Sequence, residues 1–450
     1  MNDETLLSHL TTQLGDSRAC CVAFSGGLDS TVLLHLLAAL RHGGRDLPLR
    51  AVHIHHGLSR FADEWAAHCE ALCAQWQIPL TTLHVTPDPR QGGVEAAARD
   101  ARYQALASAL QPGETLLTAQ HLDDQCETFL LALKRGSGPA GLSAMKNITT
   151  FHGHRLLRPL LDVSRQELEG YAGEQGLSWI NDDSNQDDRF DRNFLRRQVL
   201  PVLHQRWPHF AAATSRSAAL CAEQEGLLDE LLEETLASLL DAQGSLAIEA
   251  LRPMSEAKRA ALLRRWMARH AMPMPAREQL QRLWREVAES RADAEPQLQL
   301  GGGSVRRFRQ RLYLLPPMQE IDDQVLAWAP PTALTLPDGV GSLQVTEQFT
   351  AEKAQWVRRA RPDEPVTVRF HAEGSFYIVG RPHSRQIKKL WQELAIPPWE
   401  RNRTPLIFYG EHLIAAPGIF VTREGAASAG QPGWRVTWQK AVTYNVEEQA

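Results

Sequence analysis

The sequence predicts an α/β protein: a doubly wound parallel-sheet domain, then a helical linker and helical domain, then a small α+β domain at the C-terminal end. Three observations predict it. The apolar run Ala19–Phe24 leads directly into Ser25-Gly26-Gly27-Leu28-Asp29-Ser30. Short apolar strands and helix-spaced segments then alternate to about residue 134. After about residue 160 the pattern turns to long helix-prone stretches. Strand–helix alternation at this spacing belongs to parallel sheets whose crossover helices cover both faces.

Taken in order, Leu6, Leu7, Leu10 and Leu14 stand at helical spacing. Ala19–Phe24 reads as a buried strand and Thr31–Leu40 as the helix after it. Leu49–His55, Leu80–Val85 and Thr115–Gln120 read as further strands. Asp63–Trp76, Val94–Leu110 and Asp124–Lys134 read as helices. Ser164–Gln175 and Asn193–Leu203 extend this first domain to about residue 210. Residues 211–330 read as a connecting helix and a helical domain, with helices at Ser255–His270 and Arg277–Ser290. Pro316-Pro317 and Pro330-Pro331 read as a linker. Residues 350–450 hold short strands at Phe376–Val379, Leu406–Tyr409 and Trp434–Trp438.

Composition narrows the function. A chain of 450 residues implies two to four domains. No apolar run approaches the ~18 residues of a membrane span, and no basic region precedes the first apolar residues. The expected location is therefore the cytoplasm, with no membrane contact. The six cysteines contain no Cys-x-x-Cys pair and read as plain thiols. A net charge of −5 disfavours nucleic acid for the chain as a whole, so local basic clusters must carry any RNA contact.

The string Ser25–Ser30 carries the clearest chemistry. Gly26 and Gly27 are expected to let the backbone approach an anion, with N–H groups and the following helix N-terminus facing it. Ser25, Ser30 and Thr31 are candidate hydroxyl donors. There is no Gly-Lys-Ser/Thr, so this is not a Walker A loop. An acid among phosphates, Asp29, makes sense as a magnesium ligand.

His121-Leu-Asp123-Asp124-Gln-Cys126-Glu127 follows another strand, so it belongs at the same carboxyl edge of the sheet. Asp124 and Glu127 share a helix face and suit a cationic amine, although helix capping alone also explains such residues. Arg99 and Arg102 share a face as candidate clamps for a phosphate or carboxylate. His53, His55 and His56 end a strand and read as neighbours of the ligand rather than a metal site.

Ser25–Ser30 resembles the PP-loop of the N-type ATP pyrophosphatases. With His53–Gly57, Glu95–Tyr103, His121–Thr128, Arg135–Leu142, Arg158-Pro159-Leu160, Asn181–Asn185 and Arg192–Arg196, the order resembles the tRNA(Ile)-lysidine synthetase family. Gly380–His383 and Pro397–Leu406 resemble that family's terminal domain. The resemblance implies a PP-loop ATPase domain using ATP and Mg2+. Its substrates would be free lysine and a CAU-anticodon tRNA(Ile). The wobble cytidine's C2 oxygen would be adenylated, and the lysine ε-amine would displace AMP. It implies ATP on Ser25–Thr31, catalysis by Asp29, Asp124 and Glu127, and lysine on Arg99, Arg102, Asp124 and Glu127. For docking tRNA, the candidates are Arg192, Arg196, Arg381, Arg385, Lys388, Lys389, Arg401 and Arg403. Lys258, Arg259, Arg264, Arg265 and Trp266 form a further basic and aromatic helix. The sequence leaves the oligomeric state open, a homodimer included.

Rival readings are another PP-loop tRNA-modifying enzyme, an amidotransferase-type synthetase, or an RNA-binding protein with a relic ATP site. A thiolase would call for paired cysteines, and a glutaminase-type amidotransferase for Cys at position 2, where Asn2 stands. A relic would have lost the polar groups that Ser25, Asp29, Ser30, Asp124 and Glu127 supply.

Overall fold

The computed structural model describes residues 3–57, 59–86, 94–181, 187–291, 294–346, 356–428 and 433–441, with side chains from residue 97 in the third stretch. Contacts divide the chain into two compact units, Met1–Asp229 and Glu230–Ala450.

The first unit begins with α1 (Asp3–Leu14), β1 (Cys20–Ala23), α2 (Leu28–His42), β2 (Leu49–His55), α3 (Ala62–Gln75) and β3 (Leu80–His84). It continues through α4 (Val94–Ala109), β4 (Thr115–Leu117), α5 (Leu122–Lys134), α6 (Pro139–Leu142), β5 (Ile148–Phe151), β6 (His154–Leu157) and α7 (Arg165–Glu174). The strands form one sheet in the order β3-β2-β1-β4-β6-β5. All neighbours are parallel except the β5–β6 hairpin, which closes one edge and which the sequence reading did not include. Val22 of β1 stands opposite Ala51 on one side and Leu117 on the other.

Alternation along β1 explains why both faces are covered. Cys20 and Val22 pack with Leu6, Leu10 and Leu14 of α1 and with α2, while Cys21 packs with Val52, Leu106, Leu116 and Leu156. The chain leaves β1 toward β2 on one side and has β4 on the other, so a crevice opens at the carboxyl ends of β1 and β4.

The segment expected as one helix over Asn193–Leu203 is broken. It comprises α8 (Asp191–Phe194), a π-helical turn (Leu195–Val199) and α9 (Leu200–Arg206). Pro201 has no N–H to continue the ladder at that point. The long helix α10 (Phe210–Leu239) follows as expected.

The second unit holds the expected helices of the middle region and adds a sheet to them. Beside α11 (Glu256–Arg269), α12 (Arg277–Arg282) and a second π-helical stretch (Leu283–Ala288), it holds a four-stranded antiparallel sheet. Its strands are β7 (Leu246–Ala247), β8 (Gln297–Leu300), β9 (Gly303–Phe308) and β10 (Arg311–Leu315), in the order β7-β10-β9-β8. Arginines in β9 and β10 interrupt the apolar pattern there. Arg307 sits inside β9 yet is buried, its guanidinium donating to the Ser290 carbonyl at 2.6 Å. Trp266, expected as a docking aromatic, is fully buried and donates its indole N–H to the Gly244 carbonyl at 2.8 Å.

Strands from residue 325 onward join the C-terminal fold, ahead of the expected start at residue 350. They are β11 (Val325–Ala327), β12 (Leu334–Leu336) and β13 (Gly341–Thr346). They are followed by β14 (Trp356–Arg358), β15 (Val366–Arg369), β16 (Ser375–Phe376), β17 (Arg385–Gln386), α13 (Ile387–Glu393), α14 (Pro398–Arg401), β18 (Leu406–Tyr409), β19 (His412–Ala416), β20 (Phe420–Val421) and β21 (Gly433–Gln439). Two antiparallel sheets result, β11-β15-β18-β19-β20 and β12-β13-β21-β14, with β16 and β17 as a separate pair. Among the described residues no helix is long and apolar enough to cross a membrane.

Candidate active site

A cavity of about 440 Å³ opens at the carboxyl ends of β1 and β4. Ser25, Gly27, Leu28, Asp29 and Ser30 line one wall, with Asp124, Arg102, Arg165, Arg192 and Arg196 around it. His53, His55 and His56 also line it, as their place at a strand end predicts.

The loop after β1 is set by one glycine more than by two. Gly26 has φ +81°, and a Cβ there would lie 2.4 Å from Ile180 Cδ1 and 2.8 Å from Cys69 Sγ. Only glycine meets both demands. Gly27 has φ −72° and room for a Cβ against the protein, so its role is to present its backbone as the N-cap of α2. Thr31 does not face the cavity as expected. It is fully buried and its hydroxyl donates to the Gly26 carbonyl at 3.2 Å. Ser30 donates to the Gly27 carbonyl at 3.1 Å and lies 3.0 Å from Ser25 Oγ, which leaves Ser25 the freer hydroxyl.

Asp29 lies in the first turn of α2. Its Oδ1 is buried with no hydrogen-bond partner among the described residues, and His121 Nε2 lies 3.6 Å away. Burial raises the Asp29 carboxyl above its ordinary range, against the opposing pull of His121. A buried, unpartnered carboxylate oxygen beside hydroxyls and a helix N-terminus fits a magnesium ion that completes its shell with phosphate and water.

The sequence motif assigns His121 no role of its own. It is the N-cap of α5 and is completely buried. Its Nδ1 accepts the Asp123 N–H at 3.2 Å, and Asp124 Oδ2 accepts the His121 N–H at 3.1 Å, a reciprocal capping box. Burial lowers the affinity of the His121 ring for a proton, but the surrounding Asp123, Asp124 and Asp29 carboxylates outweigh it and raise it overall. Burial pushes Asp123 up, yet His121 and the Arg165 backbone N–H hold it down at about 2.

Asp124 takes the capping role and turns its second oxygen to another partner. Asp124 uses Oδ2 as the cap and turns Oδ1 to Arg196, whose Nη2 donates at 3.1 Å. Arg196 also donates from Nε to Glu127 Oε1 at 2.8 Å and from Nη2 to Glu127 Oε2 at 3.1 Å. The two carboxylates therefore already hold a cation, and it comes from the π-helical turn after α8. Glu127 is fully buried, and burial raises its carboxyl despite Arg196. Arg196, expected as a tRNA contact, stands inside the cavity. Arg192 lines it too and donates to Thr128 Oγ1 at 3.2 Å.

Arg99 and Arg102 both lie over the Tyr103 ring, each 5.5 Å from its centre, but only Arg102 lines the cavity. Sequence reasoning missed Arg165, Trp179 and Ile180, which also line it. Asn181 of the Asn181–Asn185 motif lines the cavity as well, and the rest of that motif lies outside the described residues.

No cysteine lines this cavity, and all six are free thiols. Burial pushes Cys69 up to about 12 and Cys126 up to about 11, which suits inert core thiols.

The C-terminal basic cluster is partly spoken for. Arg381 and Arg385 both pair with Glu393, Arg403 pairs with Asp338 at 2.8 Å, and Arg401 donates to the Ile396 carbonyl at 3.1 Å. Lys388 and Lys389, on α13, are exposed without an ion-pair partner among the described residues. In the middle region, Arg259, Arg264, Arg277 and Arg285 line a groove with Trp284. Arg259 stacks 4.3 Å from the Trp284 ring centre.

Residues 2–203 match the PP-loop domain family, residues 246–313 the TilS substrate binding domain and residues 366–438 the TilS substrate C-terminal domain. The tRNA(Ile)-lysidine synthase of Serratia proteamaculans (strain 568) is 61% identical over 440 residues, covering 98% of this chain and 100% of that protein. That of Shigella flexneri is 54% identical over 435 residues, covering 96% and 99%. A solved TILS C-terminal domain is 20% identical, covers 26% of this chain and 97% of its own, and has a TM-score of 0.22.

Proposed function

The chain belongs to the tRNA(Ile)-lysidine synthase family, and from that premise we propose how its own residues divide the work. The enzyme uses ATP to convert the wobble cytidine of a CAU-anticodon tRNA(Ile) to lysidine. The observation that carries this division is the meeting of the Ser25–Ser30 loop with Asp124 and Arg196 in one cavity, with Glu127 buried behind Arg196.

ATP lies with its phosphates against the backbone of Gly27–Ser30 and the N-terminus of α2, where the N–H groups and dipole favour negative charge. Ser25 adds a hydroxyl. The arginines around the cavity steady the charge that grows on the leaving pyrophosphate. Asp29 would hold a magnesium ion, which would supply positive charge to offset that of the phosphates. The cytidine C2 oxygen attacks the α-phosphorus, the bond to the β-phosphate oxygen breaks, and pyrophosphate leaves. The lysine ε-amine then attacks C2 and AMP departs.

Asp124, which lines the cavity, receives the lysine ammonium, while Arg196 ties it to the buried Glu127 behind. Asp124 accepts the proton the ammonium must lose before attack. Arg102, at the cavity, is the better placed of the two α4 arginines for the lysine carboxylate or a phosphate.

The RNA presents an unpaired base, since the chemistry needs C2 exposed. Lys388, Lys389 and the Arg259–Trp284 groove supply cations for its backbone. A tRNA substrate supports a cytoplasmic location.

The test incubates the protein with ATP, magnesium, radiolabelled lysine and unmodified CAU tRNA(Ile). Label should enter the wobble nucleotide only with ATP, and not in a CAU methionine tRNA. Pyrophosphate release without lysine incorporation would overturn lysine as the nucleophile and keep the adenylation.

A further inference from the structure

The Trp179–Asn181 segment belongs to no named element, yet it touches the phosphate loop at its tightest point. The Ile180 backbone N–H donates to the Gly26 carbonyl at 2.9 Å. The Thr31 hydroxyl donates to the same carbonyl at 3.2 Å. Two donors therefore pin this oxygen. The Ile180 side chain fills the space that a Cβ on Gly26 would need, with Cδ1 at 2.4 Å and Cγ1 at 3.5 Å from that position. Ile180 is half-buried and packs at the margin of the main core, beside Leu177 and Trp179.

A phosphate nest works only if its N–H groups face the anion and its carbonyl oxygens do not. The peptide after Gly26 is the one most free to rotate, because glycine at φ +81° has no side chain to hold it. Ile180 supplies from outside the loop the restraint that glycine lacks. Its N–H fixes the direction of the Gly26 carbonyl, and its side chain closes the volume into which the loop would relax.

We infer that Ile180 is a positioning residue for ATP: it locks the Gly26 peptide so that the loop is preset for the nucleotide's phosphates. This rests on the reading that Ser25–Ser30 holds those phosphates. Ile180 acts through Gly26.

Three substitutions in the full chain test it, with ATP binding by calorimetry and steady-state pyrophosphate release in the presence of tRNA. Ile180→Val removes only the Cδ1 methyl, Ile180→Ala opens the whole space, and Ile180→Leu keeps the apolar volume. The expected result is a KM for ATP raised severalfold by Ile180→Val and about tenfold by Ile180→Ala, with kcat at saturating ATP and the KM for lysine within about twofold. Ile180→Leu should lie close to wild type.

A merely structural residue would lower the folded fraction, and with it kcat, while leaving the KM for ATP unchanged. An unchanged KM and ATP affinity in both Ile180→Val and Ile180→Ala, with wild type binding ATP, would overturn the lock alone. Wild-type protein that fails to bind ATP would overturn the phosphate-loop reading along with it.

Discussion

Arg196 donates from Nε to Glu127 Oε1 at 2.8 Å across 69 positions of chain, joining the π-helical turn after α8 to the first turns of α5. Glu127 is fully buried, and this guanidinium offsets part of what burial costs its charge. Breaking one side of a buried pair commonly costs about 3–5 kcal/mol, because the remaining charge stays buried. Arg196→Ala should therefore destabilise the first unit by about 3 kcal/mol in urea unfolding, since Arg196 is itself partly exposed. Adding Glu127→Gln should recover most of that loss. Neither variant should incorporate lysine. Full stability in Arg196→Ala would show that the pair is dispensable to the fold.

Asp29 is raised by burial, so its negative charge is a liability to the folded protein when no cation sits against it. Asp29→Asn should then fold at least as stably as wild type at neutral pH. Pyrophosphate release should nevertheless fall by about a hundredfold or more. Melting curves and a pyrophosphate assay check both halves. Substantial release by this variant would remove Asp29 from the metal role.

Glu114 supplies a pH signature away from the active site. Arg50 Nε donates to it at 2.6 Å and the Gln111 N–H at 2.7 Å, joining β2 to the turn before β4. Burial pushes the Glu114 carboxyl up, but the Arg50 bonds and the Gln111 N–H outweigh it and hold it low. A carboxyl depressed on folding contributes stability that is present above its unfolded value, about 4.3. That contribution disappears as pH falls through the lower folded value. Glu114→Gln should lower the melting temperature at pH 7 and flatten its decline below about pH 4.3. Parallel wild-type and variant profiles through that range would contradict the assignment.

Lys388 and Lys389 should matter more to RNA than the arginines around them. Arg381 and Arg385 share Glu393, and Arg403 is held by Asp338, so part of their charge is already answered. Lys388→Glu with Lys389→Glu should weaken tRNA binding strongly and reduce its salt dependence, leaving ATP binding unchanged. Arg403→Gln should weaken it little. Filter binding across a salt series separates the two, and equal losses would spread the contact over the whole cluster.

The sequence by itself determined the parallel sheet, the strand-to-loop position of Ser25–Ser30 and the place of His121–Glu127 at the same sheet edge. These are local matters: an apolar run, a Gly pair and a change of period write themselves into a few neighbouring residues. Tertiary structure alone decided which groups meet. Arg196 looked like a surface cation until the break after α8 turned it onto Asp124 and Glu127. Trp266 looked like a docking ring until the β8–β10 sheet covered it, and in β9 a buried arginine, Arg307, interrupts the apolar pattern. Ile180 carried no signal at all, because its importance lies in the missing Cβ of Gly26, far away in sequence. Periodicity reports the face a residue occupies, whereas a partner is chosen by the path of the whole chain.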